Sequence, residues 1–184
     1  MAIEKHTTEC FVLEWYERAE HDRVFKLFTR EFGIVLAHAK SIRKLESKLR
    51  AHMLPGNMAT VTLVKGKEVW RIVGAEERSA GGVFLPEVTN YLLRFMRGEG
   101  PHTTLFDRLV SLIEKASTFE ETKARLLLLY IILVDLGYAD AKTIGAKSMQ
   151  EYVSWSIDDL YTHILLAYKE VRNHVHLVMK EMQL

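Results

Sequence analysis

The residues best suited to chemistry in this sequence are cations clustered in one short run. Residues 40–50 carry five basic side chains against a single acidic one, Glu46. Lysine and arginine at this density attract phosphate groups, and each phosphate they neutralise makes binding dependent on salt. A charge run can equally be an ordinary solvated surface, so the run alone leaves both interpretations open. The residues of this run that we predict to contact nucleic acid are Lys40, Arg43, Lys44 and Lys48.

Further cations lie on either side of this run, on segments with the alternating pattern of β-strands or in the turns between them. Cations along a groove hold the backbone of single-stranded nucleic acid while its bases stack on aromatic rings, without sequence preference. We therefore predict a nucleic-acid-binding groove, to which the neighbouring segments contribute Arg23, Arg30, Lys65 and Lys67.

The sequence contains no set of residues typical of an enzyme active site. Its glycine pairs, at 81–82 and 98–100, match neither of the nucleotide-binding fingerprints. His174 and His176 are two positions apart and would point to different faces of a helix. Cys10 falls within an apolar strand pattern, where a buried thiol is expected rather than a nucleophile. We therefore predict a binding protein with no catalytic residues, no cofactor and no metal site.

Composition places the chain among soluble globular proteins. Its 184 residues are 48% apolar and 27% charged, with a formal net charge of +1. The net charge differs between the two parts of the chain. Residues 1–78 contain 14 basic and 11 acidic residues, whereas residues 79–184 contain 11 basic and 13 acidic residues. The single cysteine excludes an intramolecular disulfide. The N-terminus lacks the layout of a signal peptide and the longest apolar run is too short to cross a bilayer, so we expect a cytoplasmic protein without membrane association.

The spacing of apolar residues predicts that a small β-barrel positions the cations. Short segments rich in β-branched and aromatic residues alternate between apolar and polar side chains, which is typical of half-buried strands. Gly33 supplies the permissive backbone for the reversal between the second and third segments. The predicted strands are 8–16, 23–30, 34–39, 57–64 and 68–73.

The connections between these strands indicate the type of barrel. We expect the basic run to lead into a short helix that ends before Pro55, between the third and fourth strands. The next connection, Lys65-Gly66-Lys67, predicts a tight hairpin in which Gly66 adopts a positive φ. Five strands with a helix after the third are typical of the OB fold. The predicted N-terminal domain is therefore a five-stranded OB-fold barrel over residues 1–78.

The chain after residue 78 has the 3.6-residue apolar period of helices, which makes the fold class α+β. The glycine-containing segment 79–83 is the predicted linker, and residues 82–184 are the predicted all-α helical bundle. Its third helix is expected to open with a capping box of Thr118 and Glu121 and to end at Gly137. Because this helix is apolar all round, it is predicted to occupy the centre of the bundle.

The C-terminal segment has two further capping signals and a regular apolar seam. Ser148 and Glu151 are spaced to cap a short helix, and Ser156 and Asp159 to cap a long helix that reaches the C-terminus. Packing of the seam inside an antiparallel bundle predicts a monomer, and a dimeric coiled coil is the alternative. The heptad seam consists of Ile157, Tyr161, Ile164, Tyr168, Val171, Val175, Val178 and Met182.

Two stretches of the sequence contain residues that recur in a specific order and spacing. The first contains Thr8, Val12, Leu13, Glu20, Asp22, Val24, Leu27, Phe28, Thr29, Gly33, Ala39, Lys40, Arg43 and Ser47. The second is Val64-Lys65-Gly66-Lys67-Glu68-Val69-Trp70, followed by Ala75-Glu76. Together they cover most of residues 7–77 and resemble the opening of RecO, a family of bacterial DNA repair and recombination mediators. In that family an acidic residue and an aspartate precede a strand ending in Leu-Phe-Thr, followed by glycine, another strand and a basic loop.

The resemblance implies a non-catalytic DNA-binding protein. Members of the family pair an N-terminal OB fold with a helical domain, bind single- and double-stranded DNA and anneal complementary strands. They work with RecR and single-stranded DNA-binding protein to load RecA recombinase. Carried over to this sequence, the resemblance makes the basic run the first choice for DNA contact and Arg23 and Arg30 the second. It also implies structural roles for Glu20 and Asp22, as acceptors of backbone hydrogen bonds at a turn.

The sequence departs from the family pattern at two places. Ser41 stands where members usually carry a glycine after the lysine of the basic loop. Residues 137–142 lack the cysteines of the zinc module that many members carry after the central helix, so zinc is not expected. Functions of the helical domain therefore do not carry over from the resemblance. The alternative function is a protein–protein adaptor that uses the heptad seam and has lost DNA binding.

Overall fold

A computed structural model describes residues 4–66, 69–79, 84–97 and 100–182. The chain forms two compact units, one with residues 1–93 and 97–103 and the other with residues 94–96 and 104–184. The predicted linker at 79–83 lies outside the described residues except for Ser79. The predicted domain limits, 1–78 and 82–184, stay a prediction.

The first unit contains a closed barrel of five strands, as the alternating patterns predicted. Around the barrel the strand order is β1-β2-β3-β5-β4. Only β3 and β5 are parallel, and the other neighbours pair antiparallel. This five-stranded barrel, followed by helices, confirms the predicted fold class. The strands are β1 (Lys5–Glu17), β2 (Arg23–Thr29), β3 (Gly33–Ala39), β4 (Met58–Lys65) and β5 (Trp70–Ser79).

The first strand is long enough to serve two partners. Its N-terminal half pairs with β4, beginning at Lys5 opposite Val64, and its C-terminal half pairs with β2, ending at Glu17 opposite Arg23. A register shift between Val12 and Glu14 interrupts the second pairing. Such a bulge bends a strand and increases its twist, which allows one strand to close a small barrel.

The barrel interior is filled by alternate residues of each strand. On β2, for example, Phe25 and Leu27 point inward and are fully buried. Burying a large apolar side chain of this kind stabilises a fold by about 1.5–3 kcal/mol relative to leaving it exposed. The buried core consists of Cys10, Val12, Phe25, Leu27, Val35, Ala37, Ala39, Ile42, Met53, Ala59, Val61, Leu63 and Ile72.

The two glycines of the predicted turns serve different purposes. Gly33 has φ +66°, which confirms the expected left-handed backbone between β2 and β3. A Cβ at Gly33 would also lie 1.9 Å from the carbonyl oxygen of Gly100. The expectation of a positive φ at Gly66 is wrong, because Gly66 is not among the positive-φ glycines. It is needed for close approach instead, since a Cβ there would lie 2.3 Å from the Val69 carbonyl oxygen.

The basic run forms turns, so the predicted short helix before Pro55 is wrong. Its backbone N–H groups bond to carbonyls three residues earlier, as in Lys44 to Ser41 (3.2 Å) and Ser47 to Lys44 (3.1 Å). Ile42 and Met53, both only 1% exposed, enter the barrel core from this connection. We call residues 40–57 the β3–β4 loop and its first part, residues 40–50, the basic loop.

Helices follow the barrel, and the third of them is central to the second unit as predicted. It packs against both α5 and α6, and its buried residues extend around the helix. Gly137, with φ +80°, ends it as expected. No helix in the described ranges is long and apolar enough to cross a membrane. The helices are α1 (Leu85–Phe95), α2 (Thr103–Glu114), α3 (Glu121–Asp135), α4 (Met149–Ser154), α5 (Ile157–Leu166) and α6 (Tyr168–Glu181).

A buried ion pair joins three helices of the second unit. The Arg108 guanidinium, on α2, donates to the Asp135 carboxylate at the end of α3 (2.7 Å) and to the Tyr152 carbonyl on α4 (2.6 Å). Both charged side chains are 7% exposed. The guanidinium also lies 4.1 Å from the centre of the Tyr152 ring. Arg108 is therefore a structural cation, inaccessible to a ligand in solution.

Two of the predicted helix caps are present and one is wrong. Ser148 accepts a bond from the Glu151 N–H at the start of α4, and Ser156 and Asp159 form a complete capping box on α5. The predicted Thr118 box fails because the Thr118 hydroxyl donates to the Lys115 carbonyl. The residue that caps α3 is Glu120, whose carboxylate accepts from the Thr122 N–H at 3.0 Å.

The predicted long C-terminal helix is two helices, α5 and α6, that meet at Ala167. Helical hydrogen bonds continue across the junction, from Ala167 to the His163 carbonyl (3.0 Å) and from Val171 to the Ala167 carbonyl (2.9 Å). The heptad seam therefore keeps its direction. Its residues Ile157, Ile164, Val171, Val175 and Val178 are all buried within the chain itself. Five of the eight seam residues are therefore packed within the bundle, as the monomer prediction requires, and the adaptor function stays an alternative.

Candidate nucleic-acid interface

The basic loop presents its cations to solvent. Lys40, Arg43, Lys44 and Lys48 are all exposed, as is Arg50 at the end of the loop. Burial of Ile42 between them anchors the loop to the barrel core. An anchored loop loses little conformational freedom when it binds a ligand, which favours affinity. The structure therefore brings the four first-choice residues together on one short, supported segment.

The basic loop lies against the β1–β2 turn, residues 18–22. The Arg43 N–H donates to the His21 carbonyl at 3.1 Å, and the Arg43 guanidinium lies 3.2 Å from the Glu17 carboxylate. We call this end of the barrel, with the β1–β2 turn and the basic loop, the basic end. The contact adds Arg18 to the same surface, a cation that the sequence analysis did not select.

Asp22 holds the start of the basic loop in an unusual backbone conformation. Its carboxylate accepts from the Ser41 N–H at 2.8 Å and pairs with the His38 Nε2 at 2.9 Å. Ser41 has φ +53°, the left-handed region that glycine adopts most easily. Because its backbone bond to Ser41 and its bond to His38 favour the ionised form, the pKa of Asp22 lies below its ordinary value. The predicted structural role of Asp22 is thus confirmed.

The conformation of Ser41 accounts for the departure from the family pattern. A left-handed backbone at this position explains why glycine suits it, and serine adopts it here with the support of the Asp22 carboxylate. Glu20 differs from Asp22, because its exposed carboxylate lies 3.8 Å from the His21 ring. The backbone-accepting role predicted for Glu20 is not among the contacts described.

Arg23 lies at the basic end, but its side chain packs against an aromatic ring. Its guanidinium carbon lies 3.5 Å from the centre of the Trp15 ring, a cation–π contact. The residue is half-buried, and its Nε is buried without a hydrogen-bond partner in the described part of the chain. Arg23 can therefore contribute positive potential to a phosphate nearby, but only part of its guanidinium is accessible.

Arg30 lies at the opposite end of β2 from Arg23. Arg23 begins β2 and Arg30 follows its end, and seven residues of strand span about 23 Å. Lys65 lies over the Trp70 ring at 5.9 Å, and Phe32, close to Arg30, contacts the same ring at 4.9 Å. We call the rings around Trp70 the aromatic cluster.

Arg30 is therefore separate from the cations of the basic loop. Arg30 pairs with Glu31 at 3.6 Å and is half-buried, whereas Lys65 is exposed. Lys67 lies outside the described residues. His6 completes the aromatic cluster, with its ring 5.3 Å from Phe32 and 5.6 Å from Trp70. The length of β2 separates Arg30 from the basic end, whereas the strand register places Trp70, the partner of Lys65, beside Ala37 of β3.

Further exposed cations outside the predicted set also belong to the barrel surface, among them Arg50, Arg71 and Arg18. Arg50 is the last residue of the basic loop, and its position in the basic run could have identified it as a DNA-contact candidate. Arg71 lies on the outer face of β5, opposite Val64 and beside His38 of β3. The alternation of β5 could have identified Arg71 as an outward-facing residue, because the neighbouring Ile72 points into the core. Arg18, on the β1–β2 turn, could not be identified from the sequence as a DNA-contact candidate, because the residues around it are acidic.

The basic end has the charge required to bind phosphate. Five cations in the basic loop face one acid, Glu46, while the adjoining β1–β2 turn adds Glu20 and Asp22. Burial raises the pKa of Cys10 to about 12, so its thiol stays protonated and unreactive. Among the described residues no group of three or more His, Cys, Asp or Glu side chains could hold a metal ion.

Comparison with known proteins identifies the barrel. The family described as Recombination protein O N terminal matches residues 1–78. A protein named DNA repair protein RecO from Dehalococcoides mccartyi (strain CBDB1) is 32% identical over 69 residues, 38% of this chain and 27% of that protein. Proteins of the same name from Acidovorax ebreus and Albidiferax ferrireducens are 28% and 27% identical over 123 and 126 residues. These alignments cover 60% and 62% of this chain but only 46% and 49% of the relatives.

Proposed function

We propose that this chain, whose residues 1–78 match the family described as Recombination protein O N terminal, binds DNA without catalysis during repair and recombination. The ligand is the sugar–phosphate backbone of single-stranded DNA and of double-stranded DNA. The observation that carries the proposal is the basic end, where an anchored loop presents Lys40, Arg43, Lys44 and Lys48 to solvent. The chain acts in the cytoplasm, where bacterial DNA lies.

Binding at the basic end works through charge and through a preformed loop. Lysine and arginine side chains replace condensed counterions around phosphates, and the release of these counterions drives association. Buried Ile42 and the Asp22–Ser41 hydrogen bond hold the cations in place before DNA arrives. Contacts to phosphate carry no sequence information, so binding is expected to be independent of sequence.

Strand annealing is the activity that the same charge supports. Two complementary strands repel each other, and a cationic surface that neutralises phosphates reduces this repulsion. We propose that the chain anneals complementary strands and works with RecR and single-stranded DNA-binding protein in loading RecA. The likeness to named DNA repair proteins RecO supports this part of the proposal.

Replacing the cations of the basic loop tests the site. The triple variant Lys40→Ala, Arg43→Ala, Lys44→Ala should bind a mixed-sequence single-stranded oligonucleotide more weakly, whatever the sequence. Three lost phosphate contacts should reduce the slope of log affinity against log salt by about 2. Between 50 and 200 mM salt, the wild type should therefore lose about 16-fold more affinity than the variant. Fluorescence anisotropy of a labelled oligonucleotide measures both quantities.

A matched control removes an equal charge elsewhere. Lys169, Arg172 and Lys180 are exposed on α6, and their replacement by alanine should leave the salt slope unchanged. If the basic-loop variant keeps the wild-type slope, the site lies elsewhere. If the wild type fails to bind DNA even at low salt, the proposed function itself is wrong.

A further inference from the structure

One apolar side chain stands in the middle of the cationic surface. Leu45 is 90% exposed, the highest value among the exposed large hydrophobic residues of the described chain. It occupies a central position of the turn from Lys44 to Ser47, which the Ser47 N–H closes by donating to the Lys44 carbonyl at 3.1 Å. The leucine is therefore at the tip of the basic loop.

The position of Leu45 is set by its supports on both sides. Ile42 is buried in the barrel core, and Leu49 packs partly buried against the same core. A helix over this segment would place Leu45 on the same face as these two residues, because side chains at i, i+3 and i+7 share one face. The observed turns bury Ile42 and Leu49 and direct Leu45 into solvent. The exposure of Leu45 thus follows from the loop conformation.

The surroundings of Leu45 distinguish it from other exposed leucines. A single exposed apolar residue is common on protein surfaces, and Leu166 in the second unit is 80% exposed. Leu45, however, directly follows Lys44, with Arg43 and Lys48 within three residues of it and all of them exposed. A strand whose phosphates contact these cations brings its bases to the leucine.

We propose that Leu45 is a wedge that inserts between neighbouring bases of the bound DNA strand. The proposal rests on the DNA binding proposed for the basic end and adds a contact to the bases. Proteins that unstack DNA use apolar side chains of this kind, leucine among them, presented beside cations that hold the phosphates. A wedge carries no hydrogen-bonding groups, so it separates bases without reading sequence. Bases opened in this way are accessible for pairing with a complementary strand.

Nucleic acid fits this tip better than a lipid surface. Membrane attachment through apolar side chains needs a broad apolar face or more than one anchoring signal. The basic loop offers a single exposed leucine at its turn, since Ile42 and Leu49 are directed into the barrel. One side chain is enough to separate two bases, because a wedge acts at a single step of the stack.

A single-stranded oligonucleotide that contains 2-aminopurine between two purines tests the insertion directly. Its fluorescence is quenched by stacking and rises when neighbouring bases are separated. Wild-type protein should raise the fluorescence at saturation, whereas Leu45→Ala should bind about tenfold more weakly and give no rise. Its salt slope should equal that of the wild type, because no charge has changed. Leu45→Met should restore the rise.

The matched control is Leu166→Ala, which removes an equally large exposed side chain from the second unit and should change neither affinity nor fluorescence. A wild type that binds DNA without a rise in fluorescence, or a Leu45→Ala variant that keeps the rise, would overturn the wedge and leave DNA binding standing. Loss of binding to anionic phospholipid vesicles in Leu45→Ala, with DNA binding unchanged, would assign the tip to membranes instead. Absence of DNA binding by the wild type would refute the proposed function as well.

Discussion

Breaking the buried ion pair between Arg108 and Asp135 should destabilise the second unit far more than any surface change. Replacing Arg108 by methionine keeps most of the side-chain volume but leaves the Asp135 carboxylate without its guanidinium partner, at 7% exposure. It also removes the donor to the Tyr152 carbonyl. Loss of one partner from a buried ion pair costs about 3–5 kcal/mol in the free energy of unfolding.

The double variant Arg108→Met, Asp135→Leu separates the ion pair from its packing. Replacing both charges by apolar groups of similar size removes the desolvated charge, so most of the lost stability should return. The Tyr152 carbonyl still lacks its donor, which costs about 1 kcal/mol. The double variant should therefore unfold with a free energy within about 1 kcal/mol of the wild type.

Urea unfolding followed by circular dichroism at 222 nm measures these free energies, since α3, α5 and α6 contribute much of the helical signal. A loss below about 1 kcal/mol in Arg108→Met, or a double variant as unstable as the single one, would refute the reasoning. DNA binding provides an independent check. Arg108 is inaccessible to phosphate, so its replacement should leave the salt slope unchanged at temperatures where the variant is folded.

Two further predictions concern the first unit. Gly33→Ala should unfold at a markedly lower temperature in a thermal melt, because a Cβ would lie 1.9 Å from the Gly100 carbonyl oxygen and alanine disfavours φ +66°. An unchanged melting temperature would contradict this steric account. Asp22 has a lowered pKa in the folded state, so its contribution to stability is complete above its unfolded value near 3.9 and is lost as pH falls through the folded value. Asp22→Asn should therefore be less stable than the wild type above about pH 4, and the difference should shrink at lower pH, as urea titrations at several pH values will show.

All five strands were located because the alternation of a strand depends on its own residues, although β5 ends at Ser79 rather than at residue 73 as predicted. Alternation on β2 places Phe25 and Leu27 in the core, and this pattern follows from the geometry of a strand rather than from its partners. The Ser156–Asp159 capping box was equally predictable, because it is formed by residues three apart. Gly33 was identified by its conformational freedom, and the structure adds the close approach of Gly100.

The incorrect predictions of secondary structure arise where contacts between residues distant in sequence outweigh the local preference of the chain for a helix or a cap. The basic run has residues compatible with a helix, but anchoring of Ile42 and Met53 in the barrel and the Asp22–Ser41 bond select turns instead. Thr118 is a residue type that often caps helices, but its hydroxyl donates to the Lys115 carbonyl instead of capping α3. For the junction at Ala167, no local residue explains why the helix is interrupted.

The sequence by itself determined two properties of this protein: a concentration of cations between two strands, and the strands that carry it. These properties depend on residue types and short spacings, which folding does not change. Only the tertiary structure decided which cations lie together. The length of β2 separates Arg30 from the basic end, and the contact of Arg43 with His21 brings the β1–β2 turn, with Arg18, beside the basic loop. The barrel core is built from residues distant in sequence, and it buries Ile42 of the basic loop. Leu45, three residues later, has no place in this core and is exposed to solvent.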